Sequence, residues 1–142
     1  MRLQLALNVK DLDAAVEFYS RMFGVGVNKR KPGYANFAVD DPPLKLVLFE
    51  QPDAPERLNH LGVEVFGDDD VAAATGRLRD AGLEHLVEDE TTCCYAKQDK
   101  VWARDPQGMR WEWYKVLADS DSFSEPQPEP MPEPEAKVPC CG

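Results

Sequence analysis

The chain has 142 residues, 43% of them hydrophobic, enough for one domain or two small fused modules with a folded core. A formal net charge of −10 with no basic cluster argues against nucleic acid and anionic membranes as partners. The four cysteines, in two adjacent pairs, do not form a disulfide framework, and no apolar run approaches the ~20 residues of a membrane span.

The N-terminal MRLQLALNVKDLD turns charged too early for a signal peptide, which predicts the cytoplasm, where thiols stay reduced. Residues 3–25, LQLALNVKDLDAAVEFYSRMFGV, then align with residues 59–83, NHLGVEVFGDDDVAAATGRLRDAGL. The period is long enough for a whole supersecondary unit. Each copy opens on a strand of strict alternation. Leu3, Leu5, Leu7 and Val9 share one face of the first, with Gln4, Ala6 and Asn8 on the other; Leu61, Val63 and Val65 oppose His60, Gly62 and Glu64 in the second.

An acidic helix start follows each strand, at Asp11 and Asp13 and again at Asp68, Asp69 and Asp70, suited to capping free N–H groups. The apolar stripes are Leu12, Val16, Tyr19 and Phe23, then Val71, Ala74, Leu78 and Ala81, with Gly24 and Gly82 as helix ends. Shorter strands are predicted over about 25–30, 34–39 and 44–50, and again over about 84–90, 98–104 and 109–116. The prediction is therefore an α+β fold of tandem βαβββ modules, at 1–50 and 59–117, joined by a linker at 51–58. Two such units can pair around a shared cavity. Residues 118–142 carry six of the 12 prolines and six acids against one Lys, a composition that predicts a disordered, partly polyproline-II tail.

Gln4 and His60 occupy equivalent places in the two copies, both opening the non-core face of a first strand. Glu112 lies on the final strand, opposite in face to Trp111 and Trp113. If the modules pair about a pseudo-twofold axis, these supply an amide oxygen, an imidazole and a carboxylate. That set is a variant of the two-histidine, one-carboxylate face that binds non-haem Fe(II) with positions left open. Val47 stands where the first copy would match Glu112, so one carboxylate is offered. Each residue alone has a plainer reading: a hydrogen-bonded histidine, an edge-strand amide, a solvated acid. His85, just after Gly82, reads as a loop or strand-start residue and not as a ligand.

Cys93 and Cys94 are the second signal. Consecutive Cα atoms lie ~3.8 Å apart, whereas a relaxed disulfide needs ~4.4 Å or more. A thiophilic atom such as As(III) can instead be chelated by both thiolates, as can Cd(II) or Cu(I). The plainer reading is two small buried hydrophobes. Lys97 and Lys100, if they approach, lower the thiol pKa, and Lys100 can steady an anionic oxygen species. A second pair, Cys140 and Cys141, is placed on the tail to capture a thiophile and pass it on.

The tandem plan with LQLALNVKDLDAAVEFYSRMFG, KRKPGYANFAVDDPPLKLVLFE and LNHLGVEV resembles the vicinal-oxygen-chelate superfamily of glyoxalases, extradiol dioxygenases and bleomycin-resistance proteins. With CCYAKQDKVWARDPQGMRWEWY it is similar, over about residues 1–117, to the carbon–arsenic lyase family, which includes cadmium-induced proteins. The resemblance implies a glyoxalase-like half-barrel and an Fe(II)- and dioxygen-dependent enzyme acting on trivalent organoarsenicals, with other divalent metals able to substitute. It implies metal positions at Gln4, His60 and Glu112 and arsenic-binding thiols at Cys93 and Cys94. Gln4 departs from the histidine more usual in extradiol enzymes. The expected partners are an organoarsenical and dioxygen, in a monomer or homodimer, and the loop holding Cys93–Cys94 is expected to move. Thiol-based sequestration of Cd(II) or As(III), or ring cleavage of the extradiol type, are the alternatives.

Overall fold

The computed structural model describes residues 1–120, except for the Cys93 side chain. Cys140, Cys141 and the tail from 121 onward lie outside the described residues. The chain divides into a unit spanning Arg2–His60 and a second unit that begins at Leu61.

The first unit holds β1 (Arg2–Val9), α1 (Leu12–Phe23), β2 (Lys29–Lys31), β3 (Tyr34–Val39) and β4 (Leu44–Glu50). Strand β5 (Leu58–Glu64) starts in the first unit and continues into the second, which adds α2 (Asp70–Asp80), β6 (His85–Cys93), β7 (Ala96–Arg104) and β8 (Arg110–Asp119). Both units follow the expected βαβββ plan with one pairing scheme. In the first, β1 runs parallel to β4, which pairs antiparallel with β3, and β3 with β2. In the second, β5 runs parallel to β8, which pairs antiparallel with β7, and β7 with β6.

Local chemistry explains the helices. Asp11 caps α1 by accepting from Ala14 N at 3.1 Å. At the other end Gly24 takes a left-handed φ of 67° and its N–H bonds to Ser20 O. Val25 N also bonds to Ser20 O at 3.1 Å, and Ser20 Oγ donates to Val25 O at 2.7 Å. These bonds use the Val25 backbone in the helix end, so the strand predicted over 25–30 shrinks to Lys29–Lys31. The three acids before α2 divide their roles differently from the expected cap. Asp69 makes no side-chain cap, Asp70 accepts from Gly67 N at 2.9 Å, and Asp68 pairs with Lys115.

The helix-facing cores are apolar, as the alternation implies. In the first unit Val9, Leu12, Ala35, Phe37, Val39, Leu46 and Leu48 are buried together, with Leu5, Leu7, Val16, Tyr19 and Phe23 packed on them. In the second Val63, Val65, Val71, Ala74 and Val101 play that part, with Leu78 and Trp113. Burying one such Leu or Phe contributes about 1.5–3 kcal/mol. Ala81, placed on the α2 stripe by periodicity, is instead its exposed C-cap.

The segment between the sixth and seventh strands is a tight hairpin where the sequence predicts a loop. Strand β6 runs to Cys93, paired with Ala96, so only Cys94 and Tyr95 form the turn. Their φ values, 50° and 63°, are both left-handed. A two-residue hairpin of type I′ demands this and normally takes Asn-Gly. A non-glycine residue there costs about 1–2 kcal/mol.

Candidate metal and thiol site

The strand faces turned away from the helices are also buried, and they are polar. In the first unit Gln4, Asn8, Asn36 and Lys45 lie there with Ala6, Val47, Phe49 and Tyr34. In the second, Glu64, Glu88, Gln98, Lys100 and Glu112 lie with Trp102 and Tyr114. Burying so many polar groups is costly unless they are paired. Such a face builds chemistry at the expense of packing.

Within the first unit Gln4 and His60 meet. Both are buried, and Gln4 Nε2 lies 3.2 Å from His60 Nε2. The other ring nitrogen, Nδ1, lies 2.7 Å from Asn59 Oδ1, a carbonyl oxygen that can only accept. The two ring nitrogens thus have different neighbours, an amide oxygen at Nδ1 and the Gln4 amide at Nε2. An imidazole whose far N–H is held by a carbonyl is the usual state of a metal-bound histidine.

Within the second unit Lys100 Nζ donates to Glu112 Oε2 at 3.1 Å, both side chains fully buried. The ammonium also lies 5.4 Å from the Trp102 ring centroid and 5.9 Å from that of Tyr114. Arg110 sits 4.5 Å from the Trp102 ring. Glu88 stands opposite Lys100 in the β6–β7 register. Its carboxyl is held above the usual range, first by burial and secondarily by the Glu112 charge, against the opposing pull of Lys100 and Arg110.

The Cys94 thiol is free and buried at the hairpin turn. Lys97, a candidate to activate the thiols, instead forms an ion pair with Glu90 at 2.8 Å. That pairing raises the Lys97 pKa and lowers the Glu90 pKa, mainly through the hydrogen bond. His85 is half-buried, with Nδ1 2.9 Å from Leu83 O.

Among the described residues no three His, Cys, Asp or Glu side chains group as a metal site. The set expected from the sequence contains only two residues of those types, His60 and Glu112, with Gln4 as the third. Its donor chemistry suits a borderline divalent ion: one neutral imidazole nitrogen, one amide oxygen and one carboxylate. The His60 ring nitrogen beside Gln4 agrees with that fit, whereas Lys100 already takes one oxygen of the Glu112 carboxylate.

Sequence reasoning did not single out Asn59 or Asn8, which hold His60, nor Glu88, Trp102 and Tyr114, which surround Lys100. Strand alternation does place Trp102 and Tyr114 on the faces of Lys100 and Glu112, and that was the available signal.

Residues 3–113 match the sequence profile of the Glyoxalase/Bleomycin resistance protein/Dioxygenase superfamily. The chain is 60% identical over 121 residues to the cadmium-induced protein CadI of Mycobacterium bovis, covering 85% of this chain and 80% of that protein. It is 52% identical over 122 residues to a trivalent organoarsenical cleaving enzyme of Thermomonospora curvata, covering 85% and 81%. A trivalent organoarsenical cleaving enzyme of a Bacillus species is 37% identical over 141 residues, covering 96% and 88%. Among solved structures, the Mn(II)-bound glyoxalase of Novosphingobium aromaticivorans superposes with a TM-score of 0.60 at 19% identity, covering 89% of this chain and 41% of that one. Methylmalonyl-CoA epimerase of Streptomyces coelicolor superposes at 0.54 and 21%, covering 81% and 96%. These structures share the glyoxalase-like, vicinal-oxygen-chelate fold.

Proposed function

Because the chain belongs to the glyoxalase/bleomycin resistance protein/dioxygenase superfamily, we propose that it is an Fe(II)- and dioxygen-dependent enzyme that cleaves the carbon–arsenic bond of trivalent organoarsenicals, methyl or aromatic, and so detoxifies them. The observation that carries this reading is the 52% identity to an enzyme named for that cleavage. The chemistry of Gln4, His60 and Glu112 supports it.

Cys93 and Cys94 take the substrate as an arsenic dithiolate. Adjacent thiols, too close for a relaxed disulfide, stay available for a large soft atom. Gln4, His60 and Glu112 would hold iron, which when bound supplies open positions and redox chemistry for dioxygen. Lys100 Nζ donates to the Glu112 carboxylate and holds it in place. Trp102 and Tyr114 flank that ammonium and keep water from it. Proximity of the held arsenical to the reacting centre then contributes to the rate, and movement of the Cys94–Tyr95 turn admits the substrate. For a methyl group, methylarsonous acid plus dioxygen balances to arsenous acid plus formaldehyde, with no further reductant. The reading needs no nucleic acid, membrane or protein partner, and describes a cytoplasmic monomer or homodimer.

The test is incubation with methylarsenite and Fe(II) in air, followed by speciation of arsenic. Arsenite must form in air and not under nitrogen. The second reading, capture of Cd(II) or As(III) by the thiols alone, is favoured by the 60% identity to a cadmium-induced protein. It requires that methylarsenite be bound and recovered unchanged in air.

A further inference from the structure

We infer that Asn8 and Asn59 form a one-directional hydrogen-bond relay, anchored on the Glu56 backbone carbonyl, that holds His60 with its proton on Nδ1 and its lone pair on Nε2. The relay lies wholly within the first unit. It begins at a group whose polarity cannot change, since a backbone carbonyl only accepts. Asn8 Nδ2 donates to Glu56 O at 2.9 Å. That fixes which end of the Asn8 amide points where, so Asn8 Oδ1 is left as the acceptor for Asn59 Nδ2 at 3.0 Å. Asn59 Oδ1 is then the atom that meets His60 Nδ1 at 2.7 Å. Two carbonyl-type oxygens and two amide nitrogens thus pass the polarity of one backbone group to one imidazole.

The relay is buried and braced. Asn8, Asn59 and His60 are all buried, so water does not offer alternative partners. The Asn8 backbone is clamped to the segment that carries Glu56, because its N–H donates to Arg57 O at 2.7 Å and its carbonyl accepts from Arg57 Nε at 3.1 Å. Turning Asn8 over would set oxygen against the Glu56 carbonyl and nitrogen against Asn59 Nδ2, and turning Asn59 over would set its oxygen against Asn8 Oδ1. A neutral imidazole has one N–H, so a donor at Nδ1 leaves an acceptor at Nε2, the nitrogen beside Gln4.

Asn8 and Asn59 are therefore positioning residues. The consequence for iron rests on the proposed function, because a proton on Nε2 would occupy the direction a metal needs. The tautomer itself does not depend on that reading.

The test is nitrogen NMR of the full-length, metal-free chain labelled at its two histidines, at a pH where both rings are neutral, with His85→Gln to assign the signals. Nδ1 of His60 must be of the protonated type and Nε2 of the lone-pair type. The reverse pattern, or a mixture, in the wild type overturns the relay without any variant having to fold. Asn8→Leu removes the acceptor for Asn59 while leaving the Asn59–His60 contact in place. It should give a mixed tautomer at His60 and about 10-fold weaker Zn(II) binding, with His85 unchanged. An unaltered His60 spectrum in that variant also overturns the relay. Zn(II) titration of the wild type separates the two ideas: an Nε2 signal that ignores Zn(II) sinks the metal reading, while the metal-free spectrum still decides the relay.

Discussion

Lys100 Nζ and Glu112 Oε2 form a 3.1 Å ion pair in which neither side chain has any exposure. Pairs of this kind contribute little net stability, but removing one partner strands the other charge in a poorly solvating interior. Lys100→Met is therefore expected to lower unfolding free energy by about 3–5 kcal/mol. Lys100→Met with Glu112→Leu should recover most of the loss. Urea midpoints of the wild type, the single and the double variant check this, and equal losses in single and double variants would contradict it.

Glu88 gives the fold a pH dependence with a defined sign. Burial raises its folded pKa above the unfolded value of 4.5, while Lys100 and Arg110 pull it down and Glu112 pushes it up. Above the unfolded pKa the folded chain holds this proton more tightly than the unfolded chain, so stability falls as pH rises through that window. Glu88→Gln should flatten this decline between the unfolded and the raised folded pKa. Parallel denaturation series at several pH values read it, and an unchanged slope would contradict the assignment.

The thiols and the nitrogen–oxygen set are expected to fail separately. Cys93→Ser should abolish turnover and leave Fe(II) binding intact. His60→Ala should abolish turnover and leave arsenical binding near normal. Equilibrium dialysis with each ligand separates the roles, and equal loss of arsenical binding in both variants would merge them.

Gly24 isolates a backbone effect. Its φ is 67° and a Cβ built there meets nothing within 4 Å, so Gly24→Ala adds left-handed strain and no clash. The expected cost is about 1–2 kcal/mol, read from thermal unfolding with helix content unchanged.

Much of the fold was legible because the same strand–helix pattern is written twice. Gln4 and His60 could be matched by that repeat, and Glu112 could be set opposite Trp111 and Trp113 by alternation alone. The register agrees with the face assignment, since Gly62 faces Glu112 while Val63 faces Trp113. The Cys94–Tyr95 turn was not legible. Its left-handed pair lacks the Asn-Gly signal, so the sequence reads as a loop. The Asn8–Asn59 bond was hidden for another reason. It joins residues 51 apart, through a strand start and a linker with no periodic signature of contact. Glu88 meets Lys100 across strands whose register shifts just beyond it, between Glu88 and Thr91, and alternation cannot locate such a bulge.

The central claim is that sulfur holds the arsenic while nitrogen and oxygen hold the iron. X-ray absorption at both edges of one anaerobic sample, loaded with Fe(II) and methylarsenite, tests it most directly. The account predicts sulfur and carbon neighbours at arsenic and only nitrogen or oxygen neighbours at iron. Sulfur in the first shell of iron, or its absence from that of arsenic, would contradict it.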